Sequence, residues 1–439
     1  MDTLNALIQR LKQNGATRIL YKPLSANDNT KQQIYIGGNW EVLSVLPFGE
    51  IQSYPEVRQP NFKAPVNLYW MNEEGQVAHA PGAQLIMYPK YPEIRLSGFL
   101  KGCPLAPSAH MQPNPRTEGR ILVLGICPDR RILAHLLLPG QAITAELLDQ
   151  PVLSVAGVFR ELILDRDPLE ELLEKLHDIH QMGFVDSCRL NSSGQKIPYV
   201  AQNGGGYTLE ALLDIIPNGH SEPDFRGIEI KQFGVKRFDR LGSPRITLMT
   251  PEPVGGIYVN PGVIPFLHLY GKPEPAKDRI YFTGTHQYGV VHATTGLRLD
   301  LQGYNITASG KFEITDITKG IMLVDPRTAD TVAALWTFQQ IIDHWSKKHG
   351  RTVYVPAISQ QKLLGDDKTI RQYHYNDQVW LGVSTDPIRF FRSLLSKKVY
   401  YDPGTKVENL SGTPVTKRRN QFRMNFKNLA SLYDTFELK

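Results

Sequence analysis

Glu222-Pro-Asp-Phe-Arg-Gly-Ile-Glu-Ile-Lys231 decides the reading of this 439-residue chain, because it brings two carboxylates and a lysine into one turn and strand. Side chains alternate across a strand, so Glu229 and Lys231 are expected on one face while Ile228 and Ile230 bury the other. Pro223 and Gly227 mark the turns around them. Asp224, at the end of the preceding turn or strand, can then converge with Glu229 on one Mg²⁺, a hard cation that takes carboxylate and water oxygens. Lys231 beside them would orient or acidify an attacking water and offset charge building on a phosphorane-like transition state. The chemistry implied is metal-assisted phosphodiester hydrolysis. The competing reading is a surface hairpin whose charges make solvated pairs.

The upstream sequence favours the catalytic reading. Gly206-Tyr-Thr-Leu-Glu-Ala-Leu-Leu-Asp-Ile-Ile216 reads as a helix opened by a glycine-rich turn at Gly204–Gly206. Thr208 is the expected cap, and Leu209, Leu212, Leu213 and Ile216 form the apolar stripe. Glu210 lies off that stripe and could reach the same metal cluster, although a single helical Glu is ordinarily just solvated.

These two segments, Gly-x-x-Leu-Glu on a helix and then Pro-Asp-Phe-x-x-Ile-Glu-Ile-Lys, resemble the PD-(D/E)xK nucleases. Within them the chain is similar to the MvaI/BcnI restriction endonucleases and their relative, the MutH mismatch-repair nickase. Ile246-Thr-Leu-Met-Thr-Pro-Glu-Pro253, Leu335-Trp-Thr-Phe338 with Lys347 to Ser359, Gln372-Tyr-His-Tyr375 and Phe422-Arg-Met-Asn-Phe-Lys427 continue the likeness, over roughly residues 185–439. The resemblance implies that Asp224 and Glu229 are metal ligands, Lys231 the catalytic lysine and Glu210 an auxiliary metal-site carboxylate. It further implies Mg²⁺ as cofactor, duplex DNA as partner, and a monomer that nicks the two strands in turn, and it leaves open a companion DNA methyltransferase. In the family, histidines precede a Phe-Arg pair that reaches base edges. Here Phe422-Arg423 is kept, but Thr416-Lys-Arg-Arg-Asn420 before it holds no histidine, and Lys398-Val-Tyr-Tyr-Asp402 offers no counterpart to the family's earlier recognition strand.

Charge distribution agrees with a nucleic-acid substrate. The net charge of +6 is small, but Arg389–Lys427 carries ten Lys or Arg against Asp402 and Glu408, a local +8 that leaves the remainder at −2. Interleaved with Phe390, Phe391, Tyr400, Tyr401, Phe422 and Phe426, this cluster suits phosphate contacts from an ordered surface. Arg418, Arg419 and Arg423 are the candidates for reading base edges, with Lys417 and His374 as further DNA contacts.

Length and 41% hydrophobic content allow two cores. The expected class is α/β (α+β): a mixed sheet flanked by helices in an endonuclease domain over 185–439, a bridging helix over 166–184, and a β-rich domain over 1–165. In that first domain Leu4–Leu11 reads as a helix. Arg18–Tyr21, Gln33–Ile36, Val42–Leu46, Val66–Trp70 and Leu85–Tyr88 read as strands, and Ile121–Cys127 with Ile132–Leu138 as a hairpin. Its 15 basic and 14 acidic side chains exclude a polybasic arm. Tyr91–Lys101 reads as a strand and turn, with a base-binding lining as the rarer option. The start of the chain lacks the basic-then-apolar order of a secretory signal and no apolar run approaches a bilayer span. Three isolated cysteines fit a reducing cytoplasm. The function expected is sequence-specific, Mg²⁺-dependent cutting of double-stranded DNA, in the manner of a restriction enzyme. A modification-dependent or MutH-like nicking nuclease and a non-catalytic DNA-binding protein are the alternatives.

Overall fold

The computed structural model describes residues 3–439 apart from 92, 165, 202, 217–222 and 364–368; Glu222, which opens the decisive segment, falls outside them. The chain forms two compact units, Met1–Asp167 with Asn305–Ile317, and Pro168–Tyr304 with Thr318–Lys439.

The first unit is β-rich. A seven-stranded sheet is centred on the antiparallel hairpin Ile121–Ile126 and Ile132–Leu137, whose residues are buried on both faces. Continuous apolar strands of this kind need cover on both sides. Helix Leu4–Gln13 supplies part of it through Leu4, Leu7 and Leu11, and its first turn is capped by Thr3, which accepts from the Ala6 amide at 3.2 Å. A second sheet orders the strands Ile34–Gly37, Glu93–Ser97, Gln84–Tyr88, Asn61–Pro65 and Gln52–Tyr54. The strand expected over Val42–Leu46 is instead a 3₁₀ turn at Glu41–Ser44. Val42 and Leu43 are both buried, and a single turn directs two consecutive apolar side chains inward where a one-sided strand would expose one of them. The hairpin formed by Tyr304–Ile306 and Phe312–Ile314 also belongs largely to this unit, so residues 185–439 are not one uninterrupted domain. Phe312 and Ile314 are buried, and the Ile314 amide donates to the Pro89 carbonyl.

The second unit is built on a mixed sheet. Strand Arg351–Leu363 is central; Glu229–Gly234 pairs parallel along one side, and Trp380–Val383 and Thr369–Tyr375 pair antiparallel along the other. Helix Pro168–Gln181, expected as a bridge between domains, is part of this unit's core: Leu169, Leu172, Leu176 and Ile179 bury one stripe with Leu209, Val353, Val355 and Tyr375. Burying that stripe is worth more than leaving an amphipathic helix between bodies. The unit also holds the sheet Arg245–Met249, Phe422–Asn425 and Val399–Tyr401, and a four-stranded sheet that includes Gly404–Glu408 and Val415–Lys417.

Candidate active site

A two-residue turn sets the first carboxylate. Phe225 and Ile228 exchange backbone hydrogen bonds of 2.9 and 2.8 Å, with Arg226 and Gly227 both at positive φ, 43° and 89°. Glycine takes that conformation freely, which is why the turn can be so tight. The reversal places Asp224 against the start of the strand, where its Oδ2 accepts the Ile230 amide at 3.0 Å. Arg226 anchors the turn to helix Pro168–Gln181 through Glu171 at 2.8 Å.

Strand alternation then places Glu229 and Lys231 on one face as expected, with Lys231 Nζ 3.1 Å from Glu229 Oε1. Ile228 and Ile230 are buried in the core behind them. Glu229 is itself buried, 3% exposed, and its Oε2 has no hydrogen-bond partner.

Helix Gly204–Leu212 contributes Glu210. It begins two residues earlier than the sequence suggests and ends before Ile216, which is 43% exposed. Thr208 is not its cap: it is a buried interior residue whose hydroxyl accepts from the Cys188 amide at 3.0 Å and faces the Cys188 carbonyl at 3.2 Å. The glycines are a packing requirement, since a Cβ on Gly204 would lie 2.4 Å from Ser187 Oγ and one on Gly205 2.5 Å from Gln232 Oε1. Close approach of helix and strand keeps Glu210 near the cluster.

Electrostatics ties the acids together. Burial, reinforced by the like charge of Glu229 and more weakly by Glu210, pushes the Asp224 carboxyl up to about 7; the Ile230 hydrogen bond and Lys348 oppose the rise. Burial and Glu229 also raise Glu210, again against Lys348. Lys348 was not singled out in the sequence, yet its Nζ lies 3.9 Å from Glu229 Oε1, the oxygen that Lys231 already contacts. It ends helix Phe338–Lys348, and the parallel register Glu229↔Thr352 brings that corner alongside the carboxylates. In sequence, Lys347-Lys348 looks like any basic helix end.

Among the described residues no three His, Cys, Asp or Glu side chains stand close enough to hold a metal ion together. Mg²⁺ does not require three, since one or two carboxylates completed by waters or phosphate oxygens are usual for it. An unpartnered, buried carboxylate oxygen on Glu229 and a crowded, destabilised Asp224 are what a divalent cation would relieve, so the side chains fit one.

The DNA-contact candidates separate. Arg418 is exposed and has no partner among the described residues. Arg419 is exposed and lies along Gly404, while Lys417 pairs with Glu408 at 2.9 Å. Arg423 is held by Asp402 at 2.7 Å and by the Arg245 carbonyl at 3.1 Å. His374 stacks on His180 with ring centroids 4.8 Å apart and packs against Phe184 and Phe238, so it builds an aromatic cluster more than an open contact. The aromatic residues interleaved with the basic cluster, from Phe390 to Phe426, are all buried core and offer no surface for stacking. Asn420, where histidine was missing, is buried and donates to Glu252 Oε1 and to the Tyr258 hydroxyl, each at 2.9 Å.

Sequence reasoning also passed over the loop that follows strand Glu229–Gly234. Between Gly234 and Arg245 it carries Lys236, Arg237, Arg240 and Arg245 against Asp239. Arg237 pairs with Asp239, whereas Lys236 and Arg240 are exposed without partners among the described residues. Phe238 wedges against His180 and His374, and the Val235 amide donates to the Ala357 carbonyl, so the loop is anchored. One end leaves the strand of Glu229 and Lys231; the other enters the strand paired with Arg423.

The model of the MvaI/BcnI restriction endonuclease family matches residues 173–433. Among solved structures, the chain is similar to the restriction endonuclease MvaI in complex with its cognate DNA substrate, at 18% identity and a TM-score of 0.43, covering 63% of this chain and 99% of that one. MvaI in the absence of DNA aligns at 14% identity and a TM-score of 0.32 over the same shares. No curated protein matches the chain.

Proposed function

The chain belongs to the MvaI/BcnI restriction endonuclease family, and from that premise we propose that it is a Mg²⁺-dependent endonuclease that hydrolyses phosphodiester bonds in double-stranded DNA at specific sequences. The observation that carries the reading is the convergence of Glu210, Asp224, Glu229, Lys231 and Lys348, with one buried carboxylate oxygen unpartnered.

Asp224 and Glu229 would hold the cation, with Glu210 beside them. When bound, it supplies Lewis acidity at the phosphate and lowers the pKa of a coordinated water. The chain's own groups do the rest. Lys231, steered by Glu229, would hydrogen-bond the attacking water or a non-bridging phosphate oxygen and offset charge that grows in the transition state. Lys348 adds a second positive charge on the same side. Water attacks phosphorus, the P–O3′ bond breaks, and the 3′ oxygen leaves as a hydroxyl after taking a proton, with phosphate retained on the 5′ end. Arg418, Arg419 and Arg423 are the proposed base-reading groups, and Lys236 and Arg240 the phosphate contacts between the catalytic and Arg423 strands. A monomer cutting the strands in turn, a cytoplasmic setting, a defence role and a companion methyltransferase complete the proposal. No helix among the described residues is long and apolar enough to cross a membrane.

The experiment is cleavage of unmodified and of cytosine- or adenine-methylated supercoiled plasmid with Mg²⁺, with Asp224→Ala as control. Discrete fragments from unmodified DNA, preceded by an open-circular intermediate and absent in the variant, are expected. Cutting confined to methylated DNA would replace the reading with modification dependence. Cutting of neither would favour a partner-dependent nickase, and equal cutting by Asp224→Ala would refute the site.

A further inference from the structure

The first unit carries a polar sheet face for which the nuclease reading has no use. In the five-stranded sheet Ile34, Phe62, Leu85, Met87, Ile94 and Leu96 are buried on one side. Alternation sends the intervening side chains to the opposite face. Register aligns them as a row across all five strands, Tyr35, Arg95, Ile86, Lys63 and Gln52. Beside it, on the same face, Tyr88 pairs with Glu93 and Tyr54 with Asn61. Of these nine residues only Ile86 is aliphatic.

Cations in this patch lie on aromatic rings. Lys63 Nζ is 4.5 Å from the centre of the Tyr54 ring, and the Arg95 guanidinium is 5.9 Å from that of Tyr88. At the turn between two of the strands Tyr91 is 60% exposed, with Lys311 at 5.0 Å and Lys90 at 5.7 Å. Asn61, 7% exposed, donates to the Gln59 carbonyl at 2.8 Å but leaves its Oδ1 buried without a partner. An unmet acceptor on the residue paired with Tyr54 is a place for a ligand N–H that displaces the side chains covering it. Arg95 is paired with Glu93 at 2.5 Å and Lys311 with Glu313 at 3.9 Å, so Lys63 and Lys90 are the cations of this face left without an acidic partner among the described residues and give it a net positive charge.

We propose that this face binds unpaired DNA, with bases stacking on Tyr54 and Tyr88, an exocyclic amine donating to Asn61 Oδ1, and phosphates running along Lys63, Arg95 and the Lys90–Lys311 margin. A flat sheet with aromatic side chains needs the open π-face of a base, which a duplex hides in its own stack. The excess of cations selects a polyanion over a neutral sugar. The choice of DNA among polyanions rests on the nuclease reading of the second unit; the rest does not.

The test uses the full chain in EDTA, so that no strand is cut. A 12-nucleotide single-stranded DNA carrying 5-iodouracil is photocrosslinked and the product mapped by mass spectrometry, and binding is followed by anisotropy. Crosslinks at Tyr54 or Tyr88 are expected, together with at least tenfold weaker binding by Tyr54→Ala/Tyr88→Ala and near-normal binding by Tyr54→Phe/Tyr88→Phe. Lys63→Ala, which keeps both rings, should make the slope of log affinity against log salt shallower by about 0.7. Crosslinks confined to residues 168–304 and 318–439, or an unchanged affinity in the double alanine variant, would overturn the proposal, as would tighter binding of the matching RNA. Plasmid cleavage with Mg²⁺ should survive in Tyr54→Ala/Tyr88→Ala. If the wild type cuts no DNA yet crosslinks at these tyrosines, the nuclease reading fails and the sheet face stands.

Discussion

Replacing Asp224 by Asn should stabilise the metal-free protein while abolishing cleavage. Burial and Glu229 hold the Asp224 carboxyl near 7, against an ordinary value of 3.8. At roughly 1.4 kcal/mol per pKa unit, about three units amount to about 4 kcal/mol by which the folded state resists the ionised form, a ceiling that relaxation around the cluster will reduce. The sign follows from proton binding. Between pH 4 and 7 the folded state keeps a proton that the unfolded chain has released, so wild-type stability falls as pH rises through that window and levels off above it. Asn cannot ionise but can still accept the Ile230 amide, so Asp224→Asn should lack that fall. Urea denaturation in EDTA at pH 4.5 and pH 8, followed by tryptophan fluorescence, measures it; Trp336, Trp345 and Trp380 report on the second unit. The variant's advantage should grow by about 2–4 kcal/mol between the two pH values. Added Mg²⁺ should restore stability to the wild type at pH 8 and much less to the variant. A variant whose advantage is the same at both pH values would show that Asp224 is not held protonated, and the argument from a crowded carboxylate cluster would fail.

At subsaturating Mg²⁺ the acid limb of single-turnover cleavage should follow protonation of the metal-free Asp224, which burial and Glu229 raise, and should shift to lower pH as Mg²⁺ rises; Lys348→Ala should move the limb to higher pH because Lys348 opposes the rise of both Asp224 and Glu210, and a pH–rate profile of the variant with an unmoved limb would exclude Lys348 from the site. Removing Lys236 and Arg240 together should make the salt slope of duplex binding shallower by nearly 2, at about 0.9 per phosphate contact, with single-turnover cleavage at saturating DNA little changed; titrations at several salt concentrations that give the wild-type slope would detach the loop from DNA. Arg423→Ala should cost about 1–3 kcal/mol of discrimination between the cognate site and single-base variants, provided the guanidinium leaves Asp402 for a base. Competition between cognate and altered duplexes reads this directly, and unchanged discrimination would leave Arg423 a structural ion-pair partner.

Local rules carried the sequence a long way. Glu229 and Lys231 share a face because strand side chains repeat every two residues, and Arg226-Gly227 turns tightly because its backbone tolerates positive φ. The shared strand face and a turn at Gly227 are properties of neighbouring residues and were legible without coordinates, as was the helix of Glu210; the mixed sheet was expected from the family resemblance. What remained hidden depended on contacts between residues far apart along the chain. Lys348 reaches Glu229 through the parallel pairing of Glu229–Gly234 with Arg351–Leu363, and a basic helix end carries no mark of that. The aromatic residues among the C-terminal cations read in sequence as part of an ordered phosphate-contacting surface, but packing against Trp336 and one another buries them. The helix Pro168–Gln181 has the same amphipathic pattern whether it bridges or packs, and only the apolar surface that meets its stripe decides between the two. By itself, then, the sequence determined the residue types, their faces and the chemistry available to them. Tertiary structure alone decided which charges meet, because burial and proximity across the sheet, and not spacing along the chain, set the energy of each carboxylate and the freedom of each cation.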